Sequence, residues 1–378
     1  MISIMNAVIC FIGLLMVINN NALAQNLTKK DVADFIDKAR HEYNIPAMAV
    51  VIMDSEHILI SEIQGEKSIN SADRAKLDDF FHIGSCSKSI LAVMAGKLIE
   101  EGKLNWNTRF FELYPELLES ANNGYLDITL EDLLTCQAGI ASYTSGHDFS
   151  QLDTPTSHSR KAFIQYLVKQ EPAADRTNNG FKYLYSNASY TLAAAMLERV
   201  TNLTWEELIQ KTLSKDLGLS VLFGWPNNYD QNQPWGHMQI NGNLQALSPD
   251  HDYKLPSIIA PAGDLSMTPL AYAKYVQIHL QGLNGTDNYL TYKTYQAIHY
   301  RHEGFSLGVA NETSWGERFS IIDGSAGTFF CSTMIFPESD FAFIIMANSG
   351  SEKAIEGISW ISKKIIKKYY NLWWMFWM

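Results

Sequence analysis

Ser85-Cys86-Ser87-Lys88 is an S-x-x-K set at the head of a stretch whose spacing predicts a helix over 85–101. Residues i and i+3 share one face of a helix, so the Ser85 hydroxyl and the Lys88 amine can meet. Serine is a weak nucleophile until a neighbour takes its proton, and a suitably surrounded lysine can be that neighbour. The helix N-terminus adds a positive end and free N–H groups, which suit a developing oxyanion. Alone the set decides nothing. A chain of this composition offers roughly one S-x-x-K by chance, and the plain alternative is a capping serine with a solvated lysine. A second set, Tyr185-Ser186-Asn187, precedes a helical stretch from about Ser189 to Thr201. A tyrosine near a lysine can relay a proton to a leaving group, and an asparagine can hold a substrate carbonyl or the lysine. The plain alternative is a packed tyrosine and a helix cap. Tyr369-Tyr370-Asn371 repeats the spacing near the C-terminus and reads as a chance match.

Other chemistries lack their residues. His41-Glu42 is followed by Ile45 where H-E-x-x-H needs a second histidine, and no G-x-S-x-G, Walker or G-x-G-x-x-G sequence occurs. The 378 residues are 47% hydrophobic, 18% charged and 12% aromatic, which supports a large core and argues against disorder. Forty acids against 29 bases give a net charge of −11 without a basic cluster in the body, so no nucleic-acid partner is expected. Cys10 lies in an N-terminal apolar run. The remaining Cys86, Cys136 and Cys331 cannot all pair within one chain, and no C-x-x-C occurs. Neither a disulfide scaffold nor a zinc ribbon is expected, and no metal or cofactor is called for.

Val8 to Ile18 is almost wholly apolar, and Ala22-Leu23-Ala24 supplies a cleavage pattern before Gln25. Residues 1–24 therefore read as a secretory signal peptide and the protein as periplasmic or secreted from a bacterium. No Lys or Arg precedes Val8. The alternative, an uncleaved anchor, is disfavoured by the shortness of the run.

The elements that must hold the two motifs follow from periodicity. Lys29–Tyr43 has a helical face of Val32, Phe35, Ile36 and Ala39. Ala47–Met53 and Ile58–Ile63 read as strands joined by a turn at 54–57. From about Asn105 to His299 the chain reads as helix and loop, with helices near 129–135, 159–169, 189–201 and 269–280. Phe305–Val309, Arg318–Ile322, Thr328–Ile335 and Phe341–Met346 read as four strands, the last two joined by a turn at Pro337–Asp340. A helix over Ser351–Tyr370 follows. The fold expected is α+β: an antiparallel sheet formed by both ends of the chain, flanked by helices, with a mostly helical inserted region. The sheet part would occupy about 25–104 and 300–370, and the helical part about 105–299. Residues 371–378 form an apolar tail. Lys363, Lys364, Lys367 and Lys368 followed by Leu372-Trp373-Trp374-Met375-Phe376-Trp377-Met378 suit a membrane surface; the plainer reading is a packed helix with a frayed end.

As an ordered set these motifs resemble the serine β-lactamase-related superfamily, in its branch of class C β-lactamases, D-Ala-D-Ala carboxypeptidases and related esterases. Ser85 and Tyr185 are 100 residues apart. Leu133-Leu134-Thr135 with Gly139 is similar to the family's L-L-T-x-x-S-G stretch, Pro261-Ala262-Gly263 to its P-A-G loop, and Gly324–Ser332 to its glycine-rich turn into a strand. The resemblance covers about residues 30 to 365. It implies that Ser85 is the acylated nucleophile, Lys88 its base, Tyr185 a second proton-transfer group and Asn187 a substrate contact. It also implies an oxyanion hole from the backbone N–H groups of Ser85 and Ser325, and a β-lactamase/DD-peptidase-like fold with the site between sheet and helices.

Three departures stand out. The family's third motif, Lys, His or occasionally another residue, then x-Gly, is here Ile322-Asp323-Gly324. His302-Glu303-Gly304 fits the pattern but precedes the wrong strand and reads as a decoy. Cys136 and Ala138 replace the usual histidine and serine of the L-L-T stretch. Cys86 should face away from Lys88, since neighbours on a helix point about 100° apart, and neither Cys86 nor Cys136 is expected to be catalytic. The leading expectation is a monomeric serine hydrolase acting on a small ester, D-amino-acid peptide or β-lactam. The rival is a non-catalytic penicillin-binding-like protein that binds cell-wall peptides.

Overall fold

The computed structural model describes residues 27–178, 180–314 and 316–370. The proposed signal peptide and the apolar tail lie outside the described residues.

Seven antiparallel strands form the main sheet. They are β1 (Ala47–Met53), β2 (Ile58–Gly65), β3 (Gly304–Phe305), β4 (Ala310–Ser314), β5 (Glu317–Ser325), β6 (Phe330–Phe336) and β7 (Phe341–Ala347). Their order is β3-β4-β5-β6-β7-β1-β2, so early and late segments of the chain meet at the β1–β7 pair. β1 and β7 are continuous apolar runs because both of their faces are covered. Met48, Val50, Ile52, Phe343 and Ile345 face helices α1 (Lys29–Tyr43) and α6 (Glu352–Tyr369). Ala49, Val51, Ile344 and Met346 face the larger core on the other side. A Thr28–Asp31 capping box starts α1 and the Ser351 side chain caps α6.

The inner face is covered by α2 (Ser87–Glu100), α3 (Asn187–Thr201), α4 (Pro269–Leu283) and α5 (Tyr292–Tyr300). α2 is buried on nearly every side from Ser87 to Leu98, as its apolar composition requires. No helix among the described residues is long and apolar enough to cross a membrane.

Three local expectations need correction. Phe305–Val309 is not one strand: Ser306 N–H bonds to Val309 O at 2.8 Å, and the chain reverses there between β3 and β4. The 85–101 helix opens with a 3-10 turn at Gly84–Cys86 before α2 begins at Ser87. The middle of the chain also holds strands of two to four residues, too short for a period of two to register. Phe81–His82 and Val221–Phe223 each pair with Leu265–Met267, the central strand of a second sheet. Residues 176–181 and His237–Ala246 form hairpins.

A buried histidine chain links α4, α5 and β5. Ser320 Oγ donates to Tyr300 Oη, so His299 Nδ1–H donates to Ser320 Oγ at 2.7 Å. His299 Nε2 then accepts from His279 Nδ1–H at 2.7 Å, and His279 Nε2 is left buried without a partner. Burial lowers the His279 pKa to about 3. It drives His299 well below its usual value, with the neighbouring His279 adding to the effect. His237, with Nδ1 on Asn348 O, is lowered by burial to about 4. All three are neutral when folded and protonate near 6.5 when unfolded. Stability is therefore complete above pH 6.5 and falls as pH drops below it, by up to about 1.4 kcal/mol per pH unit per histidine. Thermal midpoints measured from pH 8 to 4 should be level above 7 and fall below 6.5. The fall should be shallower in His279→Gln, and an equal slope in the two proteins would refute the assignment.

Candidate active site

The strand Phe81–His82 ends where the nucleophile turn begins. Ile83 N–H bonds to Leu265 O at 2.9 Å, tying that turn to the segment carrying Pro261-Ala262-Gly263. Gly84 follows with φ +52, a left-handed conformation that leaves Ser85 at the mouth of α2. A Cβ on Gly84 would lie 2.4 Å from Ser325 N, and one on Gly324 would lie 2.7 Å from Ser85 N and 2.0 Å from Ile83 O. The backbone N–H groups of Ser85 and Ser325 are thus brought close only because both contact points lack a side chain.

Four of the five expected site residues form one hydrogen-bonded cluster. Lys88 Nζ donates to Ser85 Oγ at 3.0 Å, Asn187 Oδ1 at 2.8 Å and Ala262 O at 2.8 Å. Tyr185 Oη donates to Ser85 Oγ at 2.7 Å. Lys88 is 1% exposed and lies 4.8 Å from the Tyr185 ring centre and 5.1 Å from that of Tyr190. No carboxylate pairs with it among the described residues. Ser325 stands across a narrow crevice also lined by Ser85, Asn187 and Gly263. Its hydroxyl is spent locally, donating to Phe329 O and accepting from Gly327 N–H.

The L-L-T stretch positions the second motif. Leu184 N–H bonds to Cys136 O at 2.9 Å, Ser186 Oγ to Ala141 O at 2.7 Å and Asn187 N–H to Ser142 O at 2.8 Å. Asn187 Nδ2 donates to Tyr143 O, which fixes the amide so that Oδ1 faces the lysine. Cys136 holds φ 58, and burial pushes its thiol up to about 11. Cys86 Sγ points into the sheet toward Ile322 O and Cys331 O. All three described cysteines are free and buried.

The third-motif residue Ile322 is buried, yet it borders a cleft of about 190 Å³ with Ser85, Lys88, Tyr185, Phe305 and Asp323. His302 is elsewhere, its Nε2 2.7 Å from Glu131 Oε1. A roomier cavity of about 310 Å³ is lined by Asp127, Thr129, Asp132 and Arg176, and there the Thr129 hydroxyl donates to Asp132 Oδ2 at 2.6 Å as part of a helix capping box. Sequence reasoning missed the two backbone acceptors, Ala262 O and Tyr143 O. It also missed buried His82, whose Nδ1 accepts from Gly84 N–H and whose Nε2–H donates to Asp264 Oδ1 at 3.2 Å. Its position three residues before Ser85 was the available signal.

The sheet-and-helix frame, with a serine shared by lysine and tyrosine at its core, is that of the serine β-lactamase-related superfamily. The chain belongs to the Beta-lactamase family, whose sequence profile matches residues 32–360. Protein flp of Staphylococcus aureus (strain NCTC 8325 / PS 47) is 21% identical over 360 residues, spanning 91% of this chain and 68% of that protein. The octameric penicillin-binding protein homologue from Pyrococcus abyssi is 19% identical, with a TM-score of 0.69 over 85% of this chain and 74% of its own. The β-lactamase from Sulfitobacter sp. EE-36 is 16% identical, with a TM-score of 0.70 over 90% of this chain and 99% of its own.

The Gly324 contact is directly testable. Gly324→Ala forces Cβ into the Ile83 carbonyl, and overpacking of this kind costs roughly 1–3 kcal/mol. The variant should melt several degrees lower and react more slowly with a serine-directed fluorophosphonate. An unchanged rate of labelling would show that this approach is not needed.

Proposed function

We propose that the protein is a serine hydrolase that works through an acyl-enzyme on Ser85 with water as acceptor. The observation behind this reading is the shared hydroxyl: Ser85 Oγ lies 3.0 Å from Lys88 Nζ and 2.7 Å from Tyr185 Oη. In its neutral form the Lys88 amine turns its lone pair toward Oγ and takes the serine proton as Oγ bonds the carbonyl carbon. The new ammonium remains held by Asn187 Oδ1 and Ala262 O. The carbonyl electron pair moves onto oxygen, facing the N–H groups of Ser85 and Ser325. Collapse breaks the bond to the leaving group, which takes the Tyr185 proton, and the phenolate is offset by the ammonium over its ring. Water then attacks the acyl carbon and returns a proton to Tyr185. As the acid departs, Ser85 Oγ recovers its proton from Lys88.

The rival role, a non-catalytic binder of cell-wall peptides, draws only on the missing cation at Ile322. We also infer export by residues 1–24 to the periplasm or medium.

Ser85→Ala should abolish covalent labelling by a fluorophosphonate while keeping the wild-type melting curve. Lys88→Ala should lose nearly as much, because groups that act as a unit are strongly non-additive, whereas Cys86→Ala should keep most of it. Full labelling of Ser85→Ala would overturn the acyl-enzyme.

Ile322 shapes the substrate range. β-Lactams and D-Ala-D-Ala termini carry a carboxylate, and the loss of one charge-assisted contact costs about 1.5–3 kcal/mol, roughly ten- to a hundredfold in rate. A short-chain nitrophenyl ester should be hydrolysed, and a chromogenic cephalosporin weakly or not at all. Ile322→His should raise the cephalosporin rate more than the ester rate. Efficient cephalosporin turnover by the unaltered protein would contradict this.

A further inference from the structure

We propose that the substrate carries an ammonium group and that Asp323, in the catalytic cleft, is the residue that selects it. The inference builds on the acyl-enzyme reading and names the substrate class of that site. Its starting point is the cleft's charge. Ser85, Lys88, Tyr185, Phe305, Ala310 and Ile322 line it, and beside them Asp323 is the one acid. Lys88, the one cation, is buried with its three N–H bonds already directed at Ser85, Asn187 and Ala262. It has no hydrogen left for a ligand.

Asp323 is an exposed carboxylate with no salt-bridge partner among the described residues. It bonds to the Ser332 hydroxyl, opposite it in the β5–β6 pair, and a neutral hydroxyl does not cancel a charge. Arg318, on the same strand, is held over the Tyr300 ring at 3.8 Å and bonded to Gln296. A cation arriving with the substrate is the partner this carboxylate lacks.

The aromatic wall favours the same occupant. Phe305 borders the cleft, with the Tyr183 ring 5.5 Å and the Tyr185 ring 6.2 Å from it, and Tyr183 is half exposed. Aromatic faces attract cations, most of all alkylated ammonium groups that shed water easily. An anionic substrate meets the reverse: a like charge at Asp323 and an isoleucine where a donor would be needed. An exposed ion pair and a cation–π contact are each modest, and together they should bring the selection to roughly tenfold.

The test compares three nitrophenyl esters: that of (trimethylammonio)butyric acid, its uncharged tert-butyl isostere, and the monoester of glutaric acid. The expected order of kcat/KM is cationic, neutral, anionic, with roughly tenfold between the first two. In Asp323→Asn the cationic-to-neutral ratio should fall toward one. Binding of the amides of the first two acids to the Ser85→Ala protein is measured in parallel by calorimetry, which needs no turnover. If the esters are hydrolysed with no preference for the cation, or if Asp323→Asn leaves the ratio unchanged, Asp323 does not select an ammonium and the hydrolase reading stands. If no ester is hydrolysed, the hydrolase reading falls and calorimetry decides: cation binding that Asp323→Asn removes supports the inference, and its absence overturns it.

Discussion

The Lys88 amine is buried beside Ser85 with no carboxylate among the described residues to neutralise it. An isolated ammonium in such a place is costly, and the cost is held down here by dipoles instead of an opposite charge. Ser85 Oγ, Asn187 Oδ1 and Ala262 O stand where the three N–H bonds of Lys88 need them. Each comes from a different part of the chain, so the constraint reaches across the molecule. The Asn187 amide must be fixed by Tyr143 O, the Ala262 carbonyl by a short helical turn, and Ser85 by the turn before α2. A carboxylate in any of these places would hold the proton on the amine. Among the described residues the hydrogen-bond partners of this amine are neutral dipoles.

The second constraint is steric. The turn at Ser85 and the end of β5 touch through backbone alone, at Gly84 and Gly324. Two N–H groups from distant segments can converge on one oxygen only if no side chain separates them. Behind this contact Cys86, Ile322 and Cys331 fill the space with apolar bulk. The turn before α2 therefore rests on the buried face of the sheet, and the approach of Gly84 and Gly324 keeps its geometry without a side chain of its own.

Much of this was legible in the residues. β1 and β7 announced themselves as unbroken apolar runs, α6 through the spacing of Ile358, Ile361 and Ile365, and the cluster through Ser85, Lys88, Tyr185 and Asn187 taken as an ordered set. What was hidden shares one physical cause. Ala262 O and Tyr143 O are main-chain atoms, and any residue supplies a carbonyl. His82 and Asp264 are 182 positions apart, and nothing local marks a pair that only the second sheet brings together. The Ser306–Val309 reversal escaped because Phe305, Leu307 and Val309 alternate as a strand would, while Leu307 and Val309 are in fact buried in the core around a turn.

The pairing of β4 explains how two neighbouring residues of one strand border the same cleft. Successive side chains on a strand point to opposite faces, so Ile322 and Asp323 should not share a cavity. β4 pairs with β5 only from Glu317 to Ile321, and beyond that no described strand covers this edge of β5. On a bare edge, side chains from both faces reach the same solvent. Ile322 points inward, opposite Thr333, and completes the core beneath the nucleophile. Asp323 points outward, opposite Ser332, and stands at the rim. A cation at 322 would have to leave that core to meet a ligand, whereas a charge at 323 is already at the opening. The strand thus moves the charge that meets a ligand one residue along and reverses its sign, without disturbing the N–H of Ser325 two residues further on.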